Sequence, residues 1–198
     1  MKVSVILAHP NEKSFNHAIA EAALDALRKN GHDIYFHDLY KESFDPILTT
    51  KEISEESQIP PSIRKYCTEL AESDGIIIIH PNWWGQPPAI LKGWIDRVIR
   101  QNVAYEFLEG DKGEGIPRGL LKAKSALVFN TSNTPEEREQ RVFGDPLETL
   151  WKNCIFGLCG VTQFYRKMFR VIVTSSEEQR HKWLREVTET VSRFYPKE

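Results

Sequence analysis

The chain has 198 residues, a length typical of a single domain. Hydrophobic residues make up 40% and charged residues 27%, which excludes a disordered, collagen-like or coiled-coil chain as a whole. The net charge of -2 gives no general attraction to nucleic acid or to an anionic membrane. No apolar run approaches the roughly 18 residues of a membrane span, and the first residues lack the features of a signal peptide. We therefore expect a cytoplasmic protein without a nucleic-acid partner and without stable membrane insertion.

The N-terminal part alternates strands with a helix. In residues 3–8, the side chains that would point to either face of a strand are mostly apolar. This is typical of a central parallel strand covered on both faces. Apolar residues then recur at helical spacing over residues 15–27, and Asn30-Gly31 supplies a helix stop. Residues 34–37 predict a second strand.

The same alternation continues to the end of the chain. It predicts helices at 63–71, 89–99 and 147–158, strands at 75–80, 126–130 and within 161–173, and a closing helix that begins at Ser176. Five strands alternating with five helices predict one α/β domain over residues 1–198, a doubly wound parallel sheet of the flavodoxin-like order 2-1-3-4-5. Two connections, 39–62 and 109–118, are longer than usual and are candidates for functional or dimer contacts.

The three cysteines do not have the spacing of a metal site. Cys154 and Cys159 are five residues apart in a helical pattern, so their side chains point in different directions. We interpret these two residues and Cys67 as small buried hydrophobic residues rather than as a redox pair.

Ligands of an open parallel sheet bind beyond the carboxyl ends of its strands, so three loops are expected to meet there. The first loop, residues 9–16, leads straight into a helix, and its free N–H groups together with the Ser14 hydroxyl could hold a phosphate. The alternative is that Ser14 is an ordinary N-cap and His9 a structural loop histidine. Because this loop contains no glycine, it is neither a Walker loop nor a dinucleotide fingerprint.

The second loop carries two adjacent tryptophans, Trp83 and Trp84, with prolines on both sides. Both indoles cannot face the core, so at least one is expected to lie against a flat ligand such as an isoalloxazine ring. Packing on the following helix is the alternative. The third loop, residues 130–134, has small amide and hydroxyl side chains that could address the polar edge of a ring, although turns favour the same residues.

Residues 88–94, Pro-Ala-Ile-Leu-Lys-Gly-Trp, followed by Asp96-Arg97-Val98, resemble the signature of the DT-diaphorase or NAD(P)H:quinone oxidoreductase family. Leu7-Ala8-His9 with Ser14-Phe15-Asn16 is similar to the flavin phosphate loop of that family. The resemblance implies a flavodoxin-like flavoenzyme that uses FAD or FMN. It further implies that NAD(P)H donates hydride, and that quinones or related small electrophiles accept two electrons by a ping-pong mechanism.

The resemblance also assigns residues to the flavin and to the substrate. It implies that the flavin carries the chemistry, without a catalytic side chain or a metal. The residues implied to bind the cofactor are His9, Ser14, Phe15 and Asn16 at the phosphate and ribityl chain, Pro81, Asn82, Trp83, Trp84 and Gly85 along the isoalloxazine, and Asn130, Thr131, Ser132 and Asn133 at its other polar edge. Tyr105 and Phe107 match an aromatic pair that reaches the active site of the partner subunit, so a homodimer is implied.

The chain departs from the family pattern at two places. Asn133-Thr134 stands where the family has paired glycines. Glu137 and Phe143 fall, by approximate alignment, where the family has a tyrosine and a histidine that steady charge on the reduced ring.

Several alternatives stay open at this level. Arg138 or Arg141 could balance the charge of a reduced ring, or both could be solvated surface arginines. Small bacterial members of the resembled family bind and activate glutathione-gated potassium efflux channels, so the resemblance also leaves open a flavin-binding regulatory subunit of such a system. An electron-carrying flavodoxin is a further alternative. The choices between FMN and FAD and between NADH and NADPH are also open.

Overall fold

The computed structural model describes residues 1–53, 59–108, 110–111 and 114–197. The predicted long connections therefore lie partly outside the described residues. The strands are β1 (Lys2–Leu7), β2 (Asp33–Asp38), β3 (Gly75–Pro81), β4 (Tyr105–Glu106), β5 (Arg118–Gly119), β6 (Ser125–Ser132) and β7 (Gln163–Arg170).

Five of these strands form one parallel sheet in the order β2-β1-β3-β6-β7. Because β6 and β7 are its fourth and fifth strands in chain order, the predicted order 2-1-3-4-5 is confirmed. The antiparallel pair β4 and β5 was not predicted, since two-residue strands are too short to show an alternation.

Helices cover the sheet on both faces. The helical elements are α1 (Phe15–Lys29), α2 (Thr50–Ile53), α3 (Pro61–Glu72), α4 (Ala89–Val98), α5 (Glu136–Arg138), a first π-helix (Glu139–Phe143), α6 (Pro146–Glu148), a second π-helix (Thr149–Gly157) and α7 (Glu177–Phe194). The regular helix predicted at 147–158 is thus a short α-helical turn that continues as a π-helix, a geometry that apolar spacing does not distinguish. The predicted start of α7 is confirmed, because the Gln179 N–H donates to Ser176 Oγ at 3.1 Å.

Two hydrophobic clusters, one on each face, stabilise the sheet. In β3, Ile76 and Ile78 belong to the cluster under α3 and α4, while Ile77 and Ile79 belong to the cluster under α1 and α7. Burying each such side chain contributes about 1.5–3 kcal/mol. This two-sided burial holds the carboxyl ends of β1, β3 and β6 in fixed register, and the loops that follow them start from there.

The prediction of three buried cysteines is correct for two of them. Cys67 and Cys159 are buried, and burial raises the pKa of each thiol. Cys154 is exposed, because it lies on the solvent side of the second π-helix beside Lys152 and Asn153. Within the described residues, no helix is both long and apolar enough to span a membrane.

Candidate functional site

A cavity of about 340 Å³ lies at the carboxyl ends of β1, β3 and β6, a volume within the range of small-molecule sites. The three loops predicted to meet there all contribute to its wall. The lining residues are His9, Ser14, Phe15, Asn16, Pro81, Asn82, Trp83, Thr131, Ser132, Asn133, Thr134 and Ile172. We call this space the first cavity.

Ser14 caps α1 and lines the first cavity at the same time. Its Oγ accepts a hydrogen bond from the backbone N–H of His17 at 3.3 Å, so the N-cap interpretation is correct. The His17 ring then bridges Ser14 and Asp38: Nδ1 lies 3.0 Å from Ser14 Oγ, and Nε2 lies 3.1 Å from Asp38 Oδ2. The cap therefore leaves the first N–H groups of a 15-residue helix beside the cavity, where the helix dipole favours an anion.

His9 stands on the opposite side of the same loop. Its Nδ1 accepts a hydrogen bond from the Asn11 backbone N–H at 3.1 Å. Burial lowers the pKa of His9, so the ring is neutral at pH 7 with its proton on Nε2. The His9 and Trp83 ring centroids are 6.1 Å apart, which brings the first and second loops into contact.

Asn16 joins the first loop to the third and has an unused acceptor. Its side chain is 2% exposed, and Nδ2 donates to Thr131 Oγ1 at 2.9 Å. Its Oδ1 is buried and has no hydrogen-bond partner among the described residues. Because buried polar atoms in proteins are nearly always paired, this oxygen is suited to a donor on a ligand in the first cavity.

The two tryptophans lie on a tight turn. Trp83 and Gln86 exchange backbone N–H to carbonyl hydrogen bonds of 3.1 and 3.0 Å, and the residues between them, Trp84 and Gly85, have φ of 57° and 72°. Such a turn needs positive φ at both central positions, which is unfavourable for a bulky residue. Neither indole packs in the core: Trp83 is 41% exposed and Trp84 is fully exposed.

Trp84 and Gly85 line a second cavity of about 460 Å³ rather than the first. Its other lining residues are Asn82, Thr134, Glu139, Phe143 and Pro146. Asn82 and Thr134 belong to both cavities, so the two spaces are neighbours along one cleft.

Asn82 fixes the turn from both ends of its amide. Its Oδ1 accepts from the Gly85 backbone N–H at 3.0 Å, and its Nδ2 donates to Glu139 Oε1 at 3.1 Å. The turn is therefore tied to the first π-helix, a type of helix that is frequent at functional sites.

Asn130 is not among the residues that line either cavity. It is buried, its Nδ2 donates to His80 Nε2 at 2.9 Å, and its Oδ1 accepts from Arg166 Nη1 at 3.1 Å. The indole of Trp151 donates to the same His80 nitrogen at 2.9 Å, and His80 Nδ1 donates to the Pro81 carbonyl at 2.8 Å. Burial lowers the pKa of His80 to about 4, so this ring is neutral. Its hydrogen bonds link the ends of β3 and β6 to the second π-helix.

Tyr105 and Phe107 also lie outside both cavities. Their rings form an edge-to-face pair with centroids 5.9 Å apart, at the β4–β5 pair. Of the two residues that stand where the family has a tyrosine and a histidine, Phe143 lines the second cavity, whereas Glu137 is exposed and pairs with Arg141 at 2.7 Å.

Five of the lining residues were not among the predicted site residues: Thr134, Ile172, Glu139, Phe143 and Pro146. Thr134 is the last residue of the predicted third loop. Ile172 follows β7, so it would have been found if the rule that ligands bind beyond the strand ends had been applied to that strand as well. Glu139 and Pro146 have no sequence signal, because Glu139 is one of three glutamates in a short segment and only the π-helix turns it inward.

Comparison with known proteins places this site in a family. A family model described as flavodoxin-like fold matches residues 1–192, which makes the chain a flavodoxin-like protein. A protein of Haemophilus influenzae named uncharacterized NAD(P)H oxidoreductase is 35% identical over 170 residues, which span 83% of this chain and 81% of that protein. NAD(P)H dehydrogenase [quinone] 1 of Cavia porcellus is 35% identical over 168 residues, which span 74% of this chain and 59% of that protein.

A solved structure supports the same assignment. The crystal structure of Smu.1420 from Streptococcus mutans UA159 superposes with a TM-score of 0.84 at 31% identity, over 98% of this chain and all of that one. The chain belongs to the flavodoxin-like family of NAD(P)H:quinone oxidoreductases and is an oxidoreductase enzyme. It spans only 59% of the length of the Cavia porcellus enzyme.

Proposed function

We propose that this protein is a flavin-dependent oxidoreductase that uses NAD(P)H to reduce quinones or related electrophiles by two electrons. The observation that carries the proposal is the composition of the first cavity. A helix N-terminus, an indole wall and an unpaired buried acceptor meet there at the carboxyl edge of the sheet. The names of the family members support the reaction class.

The residues present fit a flavin. The N-terminal N–H groups of α1 suit its phosphate, because they point to the cavity and carry the positive end of the helix dipole. Trp83 offers a flat apolar wall for the ring system, and Asn16 Oδ1 can accept from a hydroxyl or a ring N–H. Thr131, Ser132 and Asn133 add short polar side chains on the opposite side.

The role of this protein's side chains would be to bind and orient the cofactor and the substrates. A bound flavin supplies a centre that takes hydride from NAD(P)H and gives it to the acceptor. The backbone of the turn that carries Trp83 and Trp84 is held by Asn82, which sets where the two side chains begin before substrate arrives. The second cavity opens beside the first, and we propose that NAD(P)H and the acceptor use it in turn, which is compatible with a ping-pong mechanism.

We further propose that the protein acts as a homodimer. Tyr105 and Phe107 are only partly buried and lie away from both cavities of their own chain. An aromatic pair placed in this way suits a subunit interface. Analytical ultracentrifugation of the purified protein tests this, and a monomer at micromolar concentration would contradict it.

The proposed activity has a direct test. The purified protein, as isolated or reconstituted, should absorb visible light as a flavoprotein, and mass spectrometry of the released cofactor should identify FMN or FAD. The loaded protein should oxidise NADPH or NADH continuously only when a benzoquinone is present. Colourless protein that takes up neither flavin would overturn the proposal.

A further inference from the structure

The second cavity is lined by flat apolar side chains. Trp84 is fully exposed on its turn, and Phe143 and Pro146 from the segment around the first π-helix also line the space. A cluster of exposed large apolar side chains beside a cleft marks a binding surface. Aromatic and proline walls of this kind suit a planar ring.

Glu139 is the acidic side chain in this apolar wall. It is 1% exposed, and its Oε1 accepts the hydrogen bond from Asn82. Its Oε2 is buried and has no hydrogen-bond partner among the described residues. Glutamate is almost never fully buried unless it is paired, so this carboxylate has an unmet need for a donor or a cation.

Two neighbouring arginines are engaged by other acids. Arg166 is held by Asp145 and Glu148, and Arg141 is paired with Glu137 on the surface. No ion pair of the described residues includes Glu139. The wall of the second cavity therefore contains a buried acidic side chain that forms no ion pair with a described residue, in an apolar setting where charges act strongly.

We propose that Glu139 makes the second cavity a subsite for planar aromatic ligands that carry a positive charge or N–H donors, and that it disfavours anionic ones. The inference rests on the proposed function for the role of this ligand as the electron acceptor. Amino- or amidinium-substituted aromatic electrophiles are then the favoured class, and aromatic carboxylates or sulfonates are the rejected class.

Three redox-inert probes of the same shape test the inference: benzamidinium, benzamide and benzoate. Their dissociation constants are measured by ligand-observed NMR on the purified protein with its bound cofactor. Benzamidinium should bind at least about tenfold more tightly than benzoate, with benzamide between them. In Glu139→Gln the side-chain oxygen still accepts from Asn82, while an amide N–H replaces the free oxygen. We expect the preference for benzamidinium to disappear in this variant.

Two control variants localise the effect. Glu137→Gln removes an exposed acid two residues away and should leave the preference unchanged. Trp84→Ala removes the ring wall and should weaken all three probes while keeping their order. The inference is overturned if wild-type protein binds benzoate as tightly as benzamidinium. It is also overturned if Glu137→Gln abolishes the preference or if Trp84→Ala leaves benzamidinium binding unchanged.

The outcome is separable from that of the proposed function, since the probes accept no electrons. If the protein prefers benzamidinium but does not oxidise NADPH with quinone, the subsite is supported and the proposed activity is contradicted. If the protein reduces quinone but lacks this preference, the proposed activity is supported and the subsite is contradicted. If Glu139→Gln unfolds, the wild-type order of the three probes and the Trp84→Ala result still decide the question.

Discussion

Asn16 donates a hydrogen bond from Nδ2 to Thr131 Oγ1 at 2.9 Å, which joins two loops that are 115 residues apart in the chain. The same amide leaves its Oδ1 free in the wall of the first cavity. The two ends of one side chain thus have different roles, because one links the loops and the other is available to a ligand.

These two roles can be separated by substitution. Thr131→Val removes the link and leaves the buried Nδ2 of Asn16 without an acceptor, while Oδ1 of Asn16 stays. We therefore expect a loss of about 1–3 kcal/mol in the free energy of unfolding with flavin still bound. Asn16→Leu removes both groups at similar volume and should weaken flavin binding at least about tenfold. Chemical denaturation and flavin titration of the apoprotein measure the two effects. Equal flavin affinity in both variants would contradict the assignment of Oδ1 to the ligand.

Ser14 allows the cap and the anion site to be tested against each other. Aspartate is a good N-cap, so Ser14→Asp should keep the stability of α1, but its charge should repel a flavin phosphate. Ser14→Ala should cost about 1 kcal/mol of stability and change phosphate binding less.

Riboflavin is the matched control for Ser14, since it lacks the phosphate. Ser14→Asp should weaken FMN binding and leave riboflavin binding nearly unchanged. If both ligands weaken equally, the phosphate does not lie at the N-terminus of α1.

Gly85 is expected to be intolerant of a side chain. It has φ of 72°, and a Cβ atom there would lie 2.8 Å from Pro146 Cγ. Gly85→Ala should therefore combine the cost of a left-handed backbone, about 1–2 kcal/mol, with a steric cost. Gly31→Ala is the control, because Gly31 has φ of 82° and open space around it.

The difference between the two alanine variants isolates the steric part. Adding Pro146→Ala to Gly85→Ala removes the opposing Cγ atom and should recover this difference in the free energy of unfolding. Equal destabilisation by Gly85→Ala and Gly31→Ala would show that the turn moves away from Pro146.

His80 should make stability depend on pH. Its pKa is about 4 in the folded protein because of burial, and 6.5 is the ordinary value of the unfolded chain. Between these values the unfolded chain binds a proton that the folded protein does not, so the free energy of unfolding falls as the pH is lowered. The contribution is at most about 1.4 kcal/mol per pH unit, and it ends below the folded pKa.

Denaturant unfolding measured from pH 7 to pH 4 checks this prediction. His80→Gln should reduce the slope in this interval, whereas His9→Asn should reduce it less, because His9 is only half-buried. An unchanged slope in His80→Gln would mean that the imidazole is protonated in the folded state.

The pattern of apolar residues was sufficient for the architecture. The run of isoleucines at 76–79 is apolar on both alternations and forms the central strand β3, and the apolar face of α7 packs where its spacing indicates. These features depend on neighbouring residues in the chain. A strand or a helix with a given apolar periodicity has only a few ways to bury its apolar residues. Ligands of an open parallel sheet bind beyond the carboxyl ends of its strands, and this rule correctly predicted that the loops containing Ser14, Trp83 and Thr131 line one cavity.

What the sequence determined alone is therefore the sheet, its strand order and the loops that line the first cavity. The tertiary structure decided the left-handed turn that exposes Trp84, the inward position of Glu139 and the outward position of Cys154. The reason is that hydrophobic periodicity is a property of consecutive residues. The direction of a single side chain in a turn or π-helix depends on contacts with residues far away in the chain, such as the one between Asn82 and Glu139.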